Sequence, residues 1–146
     1  MPATEIVCGL WLADMHAVTN GFLQDQTTLF ISVCKAPVVQ YDIFIRRIAN
    51  RLLVVDSFTS EFDKICGAID RELRKGGIVT VFCETKRQRS PSLLLAYLMI
   101  KAGLTYETAF QCLCSKDNEV FPDPCIYKTL LKKYEQTIDV SAEHLI

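Results

Sequence analysis

The chain has 146 residues, 50% of them hydrophobic and 23% charged, with a formal net charge of −1; this suits one domain with its own core and excludes a nucleic-acid module with a broad basic face. No apolar run approaches the roughly 20 residues of a membrane span, and MPATEIVCG lacks the basic start of a signal peptide, so the cytosol or nucleus is the expected compartment. Seven cysteines, an odd number set mostly inside apolar runs, read as reduced thiols packed as small hydrophobes.

Without repeats, low-complexity tracts or linkers, residues 1–146 read as a single domain with a loose tail after about residue 138. EIVCGLWLA (5–13) reads as a strand, MHAVTNGFLQDQ (15–26) as a short helix weakened by Gly21, and TLFISVC (28–34) as another strand. KAPVVQYDIFIRRIAN (35–50) has no single period, and RLLVVD (51–56) is a strand ending on Asp56. Phe62, Ile65, Cys66, Ile69 and Leu73 then fall on one helical face, with Asp63, Lys64, Asp70, Arg71 and Arg74 outside. Ser60 is the expected cap of this helix and Gly76-Gly77 its stop.

IVTVFC (78–83) is continuously apolar, as in a strand covered on both faces. Ser90 takes the expected N-cap position and Pro91 the first helical position of SLLLAYLMI, which is apolar nearly all round and therefore central; Gly103 stops it. Helices over TYETAFQCLCSK (105–116) and from Asp123-Pro124 onward complete the chain, the last with Ile126, Leu130, Leu131 and Tyr134 as its apolar stripe. The order implies an α/β fold: a central, mostly parallel sheet of about four or five strands with helices on both faces.

No cofactor is implied and no metal is expected: Cys112 and Cys114, two apart on a helix, point to different faces, and His16 and His144 are not in ligand spacing with cysteines. Any anion recognition must then be local, and the segment VFCETKRQRSP (81–91) is where it concentrates. Cys83 ends a strand, Glu84 to Gln88 form a short loop, and Arg89 leads into a helix. Such a loop can turn backbone N–H groups inward, and the helix N-terminus adds partial positive charge, a combination that binds phosphate and favours thiolate over thiol. Arg89 can grip a phosphoryl group bidentately. On residue types alone, Cys83 is either a buried strand residue before a turn or the nucleophile of an anion site.

Cys-x5-Arg-Ser between a buried strand and a helix resembles the loop of the cysteine-dependent tyrosine phosphatase superfamily, and the chain resembles its small dual-specificity members. RSPSLLLAYLM is similar to that family's helix after the arginine, VFPDPCIYKTLLKKYEQ to its last helix and GLWLADMHAVTN to its first strand and turn, so that about residues 5–136 are covered. The resemblance implies hydrolysis of phosphotyrosine, phosphoserine or phosphothreonine in proteins through a phosphocysteine on Cys83. Arg89 would bind phosphate, with Glu84, Thr85, Lys86, Arg87 and Gln88 lining the substrate site. Asp56 would be the general acid and then base, and Ser90 would help the thiolate leave. Asp56 also reads as an ordinary strand-end carboxylate, and Ser90 as an ordinary helix cap.

Three positions depart from the family. Phe82 replaces the usual histidine, so the hydrogen bonding of an imidazole from that position is missing; Lys86 replaces glycine, where a positive φ would cost roughly 1 kcal/mol or more; and Asp123 replaces asparagine. Two readings follow from a kept nucleophile in an altered cradle. One is a working, weakened phosphatase in which Lys86 and Arg87 attract polyanionic substrates, phosphoinositides included. The other is a pseudophosphatase that binds phosphorylated or acidic partners with little turnover. Lys86 and Arg87 also read as a plain solvated turn. A rhodanese-like sulfurtransfer or redox role is a third, minor alternative.

Overall fold

The computed structural model describes residues 3–21, 23–34, 48–55, 61–85, 87–120 and 131. Among them five strands form one sheet: β1 (Ala3–Val7), β2 (Leu10–Asp14), β3 (Leu29–Ser32), β4 (Leu52–Val54) and β5 (Val79–Cys83), in spatial order β1-β2-β5-β3-β4. Only β1 and β2 are antiparallel; every other neighbour pair is parallel. Among the described residues the α-helices with defined bounds are α1 (Met15–Thr19), α2 (Phe62–Arg74), α3 (Arg89–Ile100) and α4 (Tyr106–Lys116). This is the mixed, mainly parallel α/β sheet that the element order implies.

The first expected strand is in fact a hairpin. Gly9 sits at φ +85, a conformation that glycine adopts without strain, and its N–H donates to Glu5 Oε2 at 3.0 Å. Because β1 and β2 are both apolar, their sequence reads through the turn as one run. The helix expected over 15–26 is also shorter: Asp14 accepts from Ala17 N–H at 2.7 Å to start α1, and Gly21 at φ +83 follows its cap residue Asn20.

Side chains of β5 alternate between two cores. Val79, Val81 and Cys83 face α2, α3 and α4 together with Leu10, Leu12 and Ile31. Phe82 faces the other way, into a smaller core with Ala13, Phe30 and the α1 residues Met15, Ala17 and Val18. Helices therefore cover both faces, which is why every β5 residue is buried. On α3 all ten residues from Ser90 to Met99 are buried, so this helix is central, as its sequence predicts.

Phe62, Ile65, Cys66 and Ile69 of α2 are buried, with Asp63, Lys64, Arg71 and Arg74 exposed. Its cap position falls on Glu61, not on Ser60, and the Glu61 side chain makes no capping bond. Its end is as expected: Gly76 has φ +81, and a Cβ on Gly77 would lie 2.5 Å from Thr28 Oγ1. Thr105 caps α4 by accepting from Thr108 N–H at 3.2 Å. The helix expected from Asp123 lies outside the described residues except for Leu131, which is buried. Most of 35–50 also lies outside them.

Candidate active site

Parallel pairing brings the ends of three strands together. Asp14 of β2 is level with Cys83 of β5, and Ser32 of β3 is level with Phe82, so Val33 and Cys34 leave the sheet beside Cys83. Ligands of open α/β sheets bind at such strand ends. Cys83 is 3% exposed. Its Sγ lies 3.0 Å from the Oγ of fully buried Ser90. A thiolate at Cys83 would accept this bond with the serine as donor.

The turn into α3 differs from the expected cap. The helix starts at Arg89, Gln88 takes the cap position without a side-chain bond, and Ser90 and Pro91 lie inside the first turn. Proline is tolerated there because first-turn N–H groups have no intrahelical acceptor, so Pro91 does not fix the start to one position. The Ser90 hydroxyl, freed from capping, meets Cys83 instead. Ser92 holds the turn, with its N–H and hydroxyl donating to the Gln88 carbonyl at 3.0 and 2.6 Å.

Arg89 is half-buried and its Nε donates to the Val33 carbonyl at 2.6 Å, which fixes the guanidinium stem to the end of β3. Glu84, Thr85, Arg87 and Gln88 are exposed around the mouth, with Arg87 N–H donating to Thr85 Oγ1 at 3.4 Å. Lys86 and Asp56 lie outside the described residues, as does Asp123. Phe82, in the histidine position of the family, is buried edge-on against Phe30, with ring centroids 6.5 Å apart. Its side chain serves the α1 core and leaves the thiol without an imidazole from that position.

Cys34 belongs to this site and was not distinguished by its sequence from the other packed thiols. It is half-buried, with its N–H on Ser32 Oγ at 3.5 Å. Burial pushes its thiol up to about 11; the Ser32 bond opposes this, Glu84 and Cys83 raise it further, and Arg89 lowers it. Those last three influences come from the loop itself. Nothing in the spacing of residues 34 and 83 announces this, because strand order decides it. The Val33 carbonyl escapes sequence reasoning for the same reason.

The sequence profile described as "Dual specificity phosphatase, catalytic domain" matches residues 30–137, and the chain belongs to that family of cysteine-dependent protein phosphatases. It is similar to dual specificity protein phosphatase 1B of Arabidopsis thaliana, 29% identical over 147 residues that span 95% of this chain and 85% of that protein. Human dual specificity phosphatase 28 is 30% identical over 87 residues, which are 60% of this chain and 49% of that protein. The crystal structure of human DUSP28 superposes with a TM-score of 0.74 at 23% identity, covering 95% of this chain and 96% of that one. PTPMT1, solved in complex with PI(5)P, shares the fold at a TM-score of 0.74 and 15% identity, covering 97% of this chain and 99% of that one. Family membership favours the phosphatase over the binding-only and sulfurtransfer readings, with phosphorylated proteins as the substrate class.

Proposed function

We propose that Cys83 is the nucleophile of this phosphatase, Arg89 its phosphate ligand and Asp56 its general acid and base. The observation that carries the reading is the 3.0 Å contact of Cys83 with a buried Ser90 hydroxyl, at the end of a buried strand and next to an arginine anchored on Val33. In the first step the thiolate attacks phosphorus, the P–O bond to the substrate breaks, and the departing oxygen takes a proton from Asp56. In the second, Asp56 removes a proton from water, the water oxygen attacks phosphorus, and the S–P bond breaks with its electron pair returning to Cys83. The Ser90 hydroxyl then donates to the thiolate. Arg89 follows the phosphoryl oxygens through both steps as charge spreads over them.

Glu84, Thr85, Lys86, Arg87 and Gln88 form the substrate mouth in this reading, and phosphoinositides are a second substrate class. The exposed Arg87 supports it by adding a cation beside the loop, and PTPMT1 with PI(5)P supplies a precedent on the same fold. A reducing cytosol or nucleus suits the free thiols.

Hydrolysis of an aryl phosphate tests the assignment. The native chain is expected to turn over and Cys83→Ser to be silent, with Arg89→Lys slower by about a hundredfold or more because one ammonium does not replace the guanidinium fork. Lys86→Gly, which restores the family's residue at that position, is expected to raise kcat. Turnover that survives Cys83→Ser would sink the assignment.

A further inference from the structure

At the opposite end of the sheet from Cys83 lies a groove of about 670 Å³ between the β3–β4 edge and α2. Its floor is apolar, made by Leu29, Leu53 and Ala68, and among the described residues its rim carries three cations on the α2 side: Arg71, Arg74 and Lys75. This size is typical of ligand sites, and a leucine floor with a charged rim is their usual composition. None of the catalytic steps uses it.

The charge of the rim is local. The chain as a whole carries −1. Among the described residues two carboxylates stand against these three cations, Asp70 on Arg74 at 2.9 Å and Glu72 on Lys75 at 3.4 Å, which leaves a surplus of one on Arg71. Arg51 also lines the groove, but its guanidinium turns to the α1 side of the sheet, where Nη1 donates to the Gln24 and Thr27 carbonyls at 2.9 and 2.7 Å and the group sits 5.4 Å from the Phe30 ring centroid, so it adds no rim charge. Arg71 and Arg74 of α2 and Lys75, its C-terminal cap residue, are exposed and stand at i, i+3 and i+4, so they cluster on one side of the helix end. Such a cluster beside an apolar floor matches an extended chain with several acidic groups and an apolar side chain better than it matches a single compact anion. Partial pairing with Asp70 and Glu72 removes the dense focus that one phosphate would need.

Among the described residues β4 is an edge strand of the sheet, and it runs from this groove toward the end where Cys83 lies. The Val55 N–H donates to the Ser32 carbonyl, so by alternation the Val54 N–H points away from β3. Val54 is also 45% exposed, the large apolar side chain most open to solvent among the described residues. The strand thus offers a polar edge leading from the groove to the catalytic end. Leu29 is level with Val79, four residues before Cys83, which sets the two sites about 13 Å apart along the strands.

We propose that this groove docks an acidic, extended segment of the phosphoprotein substrate, held by Arg71, Arg74 and Lys75 with an apolar side chain on the leucine floor. The inference rests on the protein-phosphatase reading, which it deepens by adding a second recognition site. The acidic segment must stand at least about four to six residues from the phosphorylated one, since an extended residue spans about 3.3 Å and the path turns around the sheet.

The first measurement is fluorescence anisotropy with the full chain carrying Cys83→Ser, so that docking is read without turnover. The probe is an unphosphorylated peptide with a run of glutamates and one leucine, compared with the same peptide carrying glutamines and with one carrying phosphoserines. Tighter binding of the glutamate and phosphoserine peptides than of the glutamine peptide is expected, falling with salt. Arg71→Glu with Lys75→Glu is expected to weaken it about fivefold or more. Arg71→Gln with Lys75→Gln, which removes charge without reversing it, gives a smaller loss and covers the case in which reversal harms folding. The second measurement is kinetic, on the native chain: a phosphotyrosyl peptide with the glutamate run is expected to have a KM about fivefold below the glutamine version at equal kcat. Charge reversal should erase that difference and leave aryl phosphate hydrolysis unchanged.

Equal binding of glutamate and glutamine peptides overturns the proposal. So does equal loss of aryl phosphate turnover in the variant, or binding to phosphatidylserine vesicles with the same sensitivity and no preference for the peptide. Glutamate-dependent binding in a chain that hydrolyses no phosphate ester would leave the docking site standing and remove the phosphatase reading instead.

Discussion

The Ser90 hydroxyl is fully buried and 3.0 Å from the Cys83 sulfur, so in the proposed mechanism its bond gains strength only when sulfur carries charge, before attack on phosphorus and again as the phosphocysteine breaks down. Ser90→Ala is therefore expected to slow the second step by about ten- to a hundredfold, the worth of one bond to a charged group. A pre-steady-state burst of alcohol followed by slow turnover, seen by stopped flow on an aryl phosphate, would show it; a uniform fall without a burst would place the role of Ser90 elsewhere. Cys34 is the other informative thiol. With its ionisation pushed up to about 11, it is expected to resist iodoacetamide near pH 7.5 and to become reactive as pH approaches that value, because the thiolate is the reacting species. Mass spectrometry of the Cys34 peptide after short alkylation at graded pH measures this, and full modification at pH 7 contradicts it. Cys83, Arg89 and Ser90 were legible in the sequence because they are neighbours in the chain. Cys34 and the Val33 carbonyl were not, because they reach the site from another strand.

Elements whose burial has one clean period were readable from sequence. The α2 stripe and the apolar run of β5 have their expected places, since a helix that packs on one face and a strand covered on both leave unmistakable patterns. Boundaries set by backbone conformation were harder: Gly9 divides an apolar run into two strands, and α3 starts at Arg89, with the Ser90 hydroxyl on Cys83 and not on the helix end. The α2–β5 turn shows how strongly such positions are held. Thr28 Oγ1 accepts from Ile78 N–H at 2.9 Å and donates to its carbonyl at 3.1 Å, tying β3's approach to this turn. A Cβ on Gly77 would stand 2.5 Å from that oxygen and 2.6 Å from Glu72 Oε2. Glu72 is a flexible side chain and can swing aside, whereas Thr28 cannot without breaking both bonds. Gly77→Ala is expected to destabilise by about 2 kcal/mol, and Gly76→Ala by about 1 kcal/mol from its positive φ alone. Urea denaturation compares them, and equal midpoints for Gly77→Ala and the native chain would refute the close-contact argument.

Across the whole molecule, burial of ionisable thiols ties stability to pH. The strand order that creates this burial could not be read from the chain, since pairing β5 between β2 and β3 depends on which faces the helices cover. Cys66 on α2 is fully buried in the core shared by the sheet, α3 and α4. Burial pushes its thiol up to about 12, Asp63 adds to this and Lys101 opposes it. Below pH 9 the thiol is protonated in both the folded and unfolded chain, and pH has no effect through it. Between its ordinary value of 9.0 and about 12, the unfolded chain releases the proton while the folded chain keeps it, so the native state binds more protons and loses stability as pH rises. The slope approaches about 1.4 kcal/mol per pH unit for one such group. Tyr97, also raised by burial, acts in the same direction at higher pH, and half-buried Cys34 adds a smaller part. Cys66→Ala separates one group from the rest: it is expected to lose about 1 kcal/mol at pH 7 from the missing sulfur contacts, then to fall less steeply than the native chain from pH 9 upward. Urea midpoints at pH 7, 9 and 10.5 read both effects. Parallel curves for the two proteins would mean that Cys66 ionises in the folded core as freely as in the unfolded chain.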